Sequence, residues 1–168
     1  MKASLSGITV LALEQAVAVP FATRQLADLG ARVIKVERLG EGDFARHYDA
    51  RVKGLSSYFA WLNRSKESIA LDLKQSKAQA IVKELAASAD VVVQNLSPGA
   101  TDRLGLSSAQ LREVNPQLIT VDLTGYGRGG PLEDRKAYDL LIQAEAGLLS
   151  VTGSASEMVR AGISVADI

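Results

Sequence analysis

Short apolar runs alternate along the chain with longer segments in which apolar residues recur at helical spacing. The first run, Ile8–Leu13, is continuously apolar, which is typical of a strand covered on both faces. Comparable runs rich in valine, isoleucine and leucine lie at 32–37, 68–73, 90–94 and 118–123. The pattern therefore predicts five strands, each separated from the next by at least one helical segment.

The segment from 78 to 86 carries the clearest helical stripe. Its apolar residues fall at i, i+3, i+4, i+7 and i+8, which predicts an amphipathic helix. We expect Ser76 to cap this helix and Ile81, Val82 and Leu85 to face the core.

The order of the elements predicts the fold class. Parallel strands joined by helices form right-handed crossovers, and a chain that repeats them builds a layered sheet. We predict an α/β, Rossmann-like, doubly wound and mainly parallel sheet with helices on both faces, in one domain of 168 residues. Ligands bind such sheets at the carboxyl ends of the strands, so residues just past each strand are the functional candidates.

Composition narrows the possible partners and chemistry. Lysine and arginine total 19, as do aspartate and glutamate, which argues against nucleic acid or a charged membrane as the main partner. The chain has no cysteine and a single histidine, His47, so we expect no disulfide, no cysteine nucleophile and no metal site. No apolar run approaches the ~18 residues of a membrane span, and we expect a cytoplasmic protein.

The loop after the first strand argues against common nucleotide cofactors. Residues 14–19 contain no glycine, whereas a dinucleotide-binding fold needs a glycine-rich turn at this place. No Walker A pattern occurs in the sequence either. We therefore expect neither NAD, FAD, ATP nor GTP.

Several polar residues follow the predicted strands. Arg38 opens a polar, glycine-rich loop, which is either a solvated loop or an anion site in which its planar donors meet phosphate. Asn95 follows the fourth strand, and four glycines lie between 125 and 130 after the fifth, predicting a mobile loop or bare amides facing a ligand. Asp167 ends the last apolar run and by residue type alone is a helix cap or turn residue.

Five motifs in chain order resemble those of a known family. They are Gly40-Glu41-Gly42-Asp43 with Arg46, Asn63-Arg64-Ser65-Lys66 before Leu71-Asp72-Leu73, Asn95 with Pro98-Gly99, Thr124-Gly125-Tyr126-Gly127 with Gly130-Pro131, and Val165-Ala166-Asp167. At these spacings the chain resembles the amino-terminal part of the family III CoA-transferases. That family includes formyl-CoA transferase, carnitine CoA-transferase and α-methylacyl-CoA racemase.

The resemblance implies a place for the chain within a longer protein. Residues 1–168 would be the amino-terminal, Rossmann-like part of the family's large CoA-binding domain. The second domain, the return to the first and a later glycine-rich active-site loop would lie outside this sequence. We expect an interlocked homodimer at full length and no activity from these residues alone.

The resemblance also implies an activity, acyl-CoA:carboxylate CoA transfer, with no permanently bound cofactor. The substrates would be an acyl-CoA and a carboxylic acid acceptor. Asp167 matches the family's nucleophile, which forms a mixed anhydride and then an aspartyl-CoA thioester. Tyr138 stands where the racemase branch has a histidine that pairs with the aspartate. Because tyrosine, with a pKa near ~10, is a poor base at neutral pH, transfer is favoured over racemisation; packing at a helix start is the other interpretation of Tyr138.

The contacts to CoA follow from the same resemblance. Positions that meet the CoA phosphates correspond to Arg38 and Lys136. The surroundings of the adenine and ribose phosphate correspond to Leu71, Lys74, Arg103 and Leu104, and a contact to the nucleotide or pantetheine corresponds to Asn95.

Two residues depart from formyl-CoA transferase and bear on the acyl group. Val17 replaces a glutamine that takes part in catalysis there, and Tyr48 replaces a tryptophan, so an oxalate or formyl substrate is in doubt. Two other functions stay open, an acyl-CoA racemase or epimerase and a non-catalytic CoA-binding module.

Overall fold

The computed structural model describes residues 2–168. These residues form two compact units, one ending at Leu123 and one beginning at Thr124, and each is described by itself. No helix among residues 2–168 combines the length and the apolar character needed to cross a bilayer.

The first unit is built on a five-stranded sheet. Its strands are β1 (Thr9–Leu13), β2 (Arg32–Arg38), β3 (Glu67–Leu71), β4 (Val91–Gln94) and β5 (Ile119–Asp122). All neighbouring strands are parallel, in the order β3-β2-β1-β4-β5. Successive strands add on one side from β1 to β3 and on the other from β4, so the topological switch point lies between β1 and β4.

Helices cover both faces of this sheet, as predicted. They are α1 (Ala18–Asp28), α2 (Ser57–Asn63), α3 (Ser76–Ser88), α4 (Ala100–Arg103) and α5 (Ser108–Val114), with a 3-10 turn at Phe44–His47. On one face Val10 and Ala12 of β1 pack in a cluster with Val19 of α1. On the other, Leu11 of β1 packs with residues of α3 and α5. Alternate residues of β1 thus face opposite layers, which confirms the doubly wound fold.

Two details of α3 differ from the sequence prediction. Ser76 is the first residue of the helix, and the cap position falls to Gln75, whose side chain forms no capping hydrogen bond. Ile81 is 38% exposed, whereas the buried residues are Ala78, Val82 and Ala86. This i, i+4 row faces the sheet and Leu85 packs beside it, partly buried, as predicted. Ile81 lies about 100° around the helix from Val82 and therefore remains exposed.

The second unit contains helices α6 (Asp139–Glu145) and α7 (Leu148–Val151). The glycine-rich segment 124–137 precedes α6, and turns with one isolated bridge between Gly153 and Met158 follow α7. Residues 161–168 form the turn that carries Asp167.

Gly125 is required by close packing in the second unit. A Cβ atom built on Gly125 would lie 1.9 Å from the Cβ atom of Ala137. We therefore expect Gly125→Ala to lower the free energy of unfolding by about 1–3 kcal/mol through overpacking, as measured by urea denaturation. Gly130→Ala is the matched control, because a Cβ at Gly130 has no atom within 4 Å. Equal stability of the two variants would contradict the packing argument.

Candidate active site

Six of the predicted CoA contacts lie at or beyond the carboxyl ends of strands in the first unit. Arg38 and Leu71 are the last residues of β2 and β3 and are partners in the parallel register. Lys74 lies exposed in the turn that follows β3. The Arg38 guanidinium is exposed and lies 3.3 Å from the carboxylate of Glu41, so the loop holds it only through a weak surface ion pair.

The region around α4 supplies two more of these residues. Arg103 is exposed, and its Nη1 and Nη2 atoms each lie 3.4 Å from the Pro98 carbonyl, to which they donate. Leu104 and Leu71 both pack against the same core cluster. The end of α4 and the end of β3 are therefore on the same face of the sheet.

Asn95 sits at the switch point and fixes the loop after β1. Its Oδ1 accepts the Gln15 N–H at 2.9 Å, and its Nδ2 donates to the Gln15 carbonyl at 2.9 Å. One donor and one acceptor site of the amide are thus already in use. The predicted nucleotide contact of Asn95 would have to use the remaining ones.

Ala16 shows why the β1–α1 loop needs no glycine. Its φ is +64°, a left-handed conformation that costs a residue with a Cβ roughly 1–2 kcal/mol. The Ala16 N–H donates to Asp43 Oδ1 at 3.1 Å. The preceding residue, Gln15, is held by its two hydrogen bonds with Asn95. The side chains of Asp43 and Asn95, from the segments after β2 and β4, therefore hold this loop in a conformation for which glycine is usually needed.

A cluster of buried charges lies beneath this loop and was not predicted from the sequence. Lys35 Nζ donates to Asp43 Oδ2 at 2.8 Å and to Glu14 Oε1 at 3.3 Å. Lys66 Nζ donates to the same Glu14 oxygen at 2.7 Å, and Thr23 donates to the other at 2.6 Å. The available signal was Lys35 itself, since it lies between the apolar residues Ile34 and Val36 in the middle of β2.

Burial and the neighbouring carboxylates act in opposite directions on Lys66. Burial lowers the pKa of Lys66 to about 8, although Glu14 favours its charged form. Its Nζ also donates to the Pro20 carbonyl at 2.9 Å and to Asn63 Oδ1 at 3.2 Å. All three donors of the ammonium group are satisfied, so this side chain joins α1, α2 and the end of β1.

Glu37 on β2 is a further buried acid, in addition to Glu14 and Asp43. Burial alone would raise its pKa, but hydrogen bonds from Arg46, Ser68 and the Asp43 N–H outweigh burial and lower the pKa to about 2. Arg46 binds it through two N–H donors, each at 2.7 Å. The glycine-rich loop after β2 is thereby anchored from within, although its surface residue Arg38 is exposed.

The other three predicted residues lie in the second unit. Lys136 is exposed, and Tyr138 occupies the cap position before α6 with 61% of its surface exposed. Asp167 is half-buried. Burial, and secondarily the charge of Asp139, raises the pKa of the Asp167 carboxyl above its usual value.

Two carboxylates of the second unit differ in what they bind. Asp139 accepts hydrogen bonds at both oxygens, from the Ala166 N–H and from Gln143 Nε2. Across residues 2–168, by contrast, no donor is hydrogen-bonded to the Asp167 carboxylate. Asp167 is thus the one of the pair whose oxygens are available for chemistry.

Comparisons with known proteins agree with the resemblance seen in the motifs. The sequence model of CoA-transferase family III matches residues 5–168. Human succinyl-CoA:glutarate CoA-transferase is 42% identical over 166 residues, covering 98% of this chain and 38% of that protein. Acetyl-CoA:oxalate CoA-transferase of Acetobacter aceti is 43% identical over 152 residues, covering 90% and 39%.

A solved structure shows the same fold. The crystal structure of a CAIB/BAIF family protein from Brucella suis matches with a TM-score of 0.93 and 37% identity, covering 100% of this chain and 46% of that one. The chain spans 38–39% of the length of the two curated relatives named above. With a family match over nearly its whole length, the chain belongs to CoA-transferase family III.

Proposed function

We propose that the protein containing this chain transfers CoA from an acyl-CoA to a carboxylic acid, with Asp167 as the nucleophile. The observation that carries the proposal is the environment of Asp167. Its carboxyl is half-buried, its pKa is raised, and no donor within residues 2–168 occupies its oxygens. Perturbed carboxylates of this kind cluster at catalytic sites.

The first half of the reaction would load CoA onto the protein. An Asp167 oxygen attacks the thioester carbonyl, the carbon–sulfur bond breaks, and CoA leaves as the thiolate from a mixed anhydride. The thiolate then attacks the Asp167 carbonyl carbon, forming an aspartyl-CoA thioester and releasing the donor acid as its carboxylate. Two easier substitutions replace one difficult exchange.

The second half reverses these steps on the acceptor. The acceptor carboxylate attacks the aspartyl thioester, and CoA again leaves as the thiolate from a new mixed anhydride. Attack of that thiolate on the acceptor's acyl carbon yields the new acyl-CoA and returns Asp167 as a carboxylate. The cycle consumes no proton, metal or redox equivalent.

Within this proposal, Tyr138 is not the base of a racemase. Its side chain is largely exposed, and it stands where the racemase branch has a histidine. Lys136, Lys74, Leu71, Leu104 and Asn95 would contact the CoA nucleotide and pantetheine. Residues 1–168 would form the amino-terminal part of the CoA-binding domain and would be inactive without the rest of the protein.

The substrates that we propose follow from the relatives' names. Those relatives act on succinyl-CoA with glutarate or on acetyl-CoA with oxalate, so we infer a dicarboxylic acid among the substrates. Val17 is only 3% exposed and faces the core, where it offers no polar group to an acyl chain. The assembly that we propose is an interlocked homodimer in the cytoplasm.

Trapping of the intermediate tests the proposal. The complete protein is incubated with succinyl-CoA and hydroxylamine, and digested peptides are analysed by mass spectrometry. We expect a hydroxamate at Asp167, because hydroxylamine attacks both the anhydride and the thioester. A lack of adduct together with deuterium uptake at the substrate α-carbon in heavy water would favour a racemase. CoA binding with neither result would favour a non-catalytic module.

The proposed contact of Arg38 with a CoA phosphate predicts that this residue contributes to the affinity for CoA. We expect Arg38→Ala to weaken CoA binding by roughly 10–100-fold, because a charge-assisted hydrogen bond to phosphate contributes about 1.5–3 kcal/mol. Isothermal titration of CoA measures the loss. Arg32→Ala is the matched control, since Arg32 lies at the amino end of the same strand in an exposed pair with Glu67. Equal affinities for the two variants would remove Arg38 from the CoA site.

A further inference from the structure

The turn that carries Asp167 is held by side chains of α6. Asp139 Oδ1 accepts the Ala166 N–H at 2.8 Å, one residue before Asp167. Gln143 Oε1 accepts the Ala161 N–H at 2.9 Å, at the start of the same turn. Both ends of the segment 161–166 are therefore tied to one helix.

The two holding side chains are also tied to each other. Gln143 Nε2 donates to Asp139 Oδ2 at 2.6 Å, one helical turn apart. Gln143 is 1% exposed, so its amide is ordered by burial as well as by bonding. A buried polar group whose partners are all fixed gives a single geometry rather than an ensemble.

We infer that Asp139 and Gln143 are positioning residues that aim the Asp167 carboxylate at its target. They act through the backbone on both sides of the turn, not through the substrate. The inference rests on the proposed function of Asp167. Because attack needs near-attack geometry, their loss would slow the chemical step without weakening CoA binding.

Asp139 has a second, electrostatic effect on its neighbour. Its negative charge lies close enough to Asp167 to contribute to the raised pKa of that carboxyl. The other acid of α6, Glu145, is paired with Arg135 at 2.7 Å and accepts the Tyr126 hydroxyl hydrogen at 2.6 Å. Removal of the Asp139 charge should therefore lower the pKa of Asp167.

Two variants of the complete protein separate position from charge. Gln143→Leu removes the acceptor for Ala161 and keeps the charge of Asp139. We expect its kcat to fall about 10–100-fold with the KM for acyl-CoA within about threefold of wild type. Asp139→Asn keeps an oxygen for Ala166, removes the charge and replaces the oxygen that accepts from Gln143 Nε2. We expect the acidic limb of its pH–rate profile to move to lower pH, because Asp167 must be ionised to attack and the charge of Asp139 raises its pKa.

The results distinguish failure of this inference from failure of the proposed function. Asp134→Asn, an exposed acid of the same unit, is the control for both measurements. If Gln143→Leu does not fold, the kcat of Asp139→Asn on the plateau above the acidic limb decides, because this variant also replaces the oxygen that accepts from Gln143 Nε2. An unchanged plateau kcat in Asp139→Asn, or an unchanged kcat in folded Gln143→Leu, overturns the positioning role while Asp167 stays essential. An unmoved limb overturns the electrostatic effect of Asp139. Activity that survives Asp167→Ala overturns the proposed function itself.

Discussion

Replacing Asp167 by alanine in the complete protein is expected to lower kcat for CoA transfer by at least about a thousandfold. The reason is chemical, because without this carboxylate neither the mixed anhydride nor the aspartyl thioester can form. Transfer would then require the acceptor carboxylate to attack the acyl-CoA thioester directly, without a positioned nucleophile that divides the exchange into easier steps. Liquid chromatography with mass detection of both acyl-CoA species measures the rate.

Binding and folding controls make the Asp167 result specific. The affinity for CoA should stay within about threefold of wild type, since the nucleophile contributes to chemistry rather than to nucleotide binding. Asp134→Ala should leave kcat unchanged, because Asp134 is exposed and is neither a proposed CoA contact nor part of the proposed catalytic and positioning residues. A kcat for Asp167→Ala within tenfold of wild type would exclude a covalent aspartyl mechanism.

Replacing Lys35 by methionine is expected to lower the free energy of unfolding by about 3–5 kcal/mol. Methionine matches the length of the lysine stem but leaves Asp43 without its cation and Glu14 with Lys66 alone. The side chains of Lys35, Glu14 and Asp43 are each at most 1% exposed, so water cannot take over the lost interaction. Since domains of this size have total stabilities of about 5–15 kcal/mol, much of the stability would be lost.

An exposed ion pair between β2 and β3 gives the control for Lys35. Arg32 lies 2.8 Å from Glu67, and the two side chains are 59% and 57% exposed. Arg32→Met should therefore cost less than about 1 kcal/mol. Urea denaturation measures the free energy of unfolding of both variants and of wild type. The comparison assumes the same dependence of that free energy on urea concentration in all three proteins. Losses of equal size would mean that burial does not set the strength of the Lys35 pairs.

Local patterns were sufficient for the five strands, for the helix around residues 78–86 and for the residues at strand ends. Continuous apolar runs such as Ile8–Leu13 identify buried strands because both faces must be covered. Arg38 and Asn95 were identifiable because each follows such a run. The family motifs pointed to Asp167, whose residue type alone indicates no more than a turn or cap.

The contacts among distant side chains were not accessible from local patterns. Lys66 and Glu14 are 52 residues apart in the chain yet share a hydrogen bond of 2.7 Å. Ala161 bonds to Gln143 across 18 residues. Neither pairing has a spacing signature, because it arises only when separate elements meet.

The sequence by itself determined the fold class, the order in which strands and helices follow one another along the chain, and the family to which the chain belongs. Only the tertiary structure decided that Lys35 is a buried support rather than a surface charge. It also decided that Asp139 holds the turn carrying Asp167, whose own oxygens accept no hydrogen bond within residues 2–168. The physical reason is that periodicity reports burial averaged over a face, whereas the state of a charge depends on which partners the fold places within hydrogen-bonding distance.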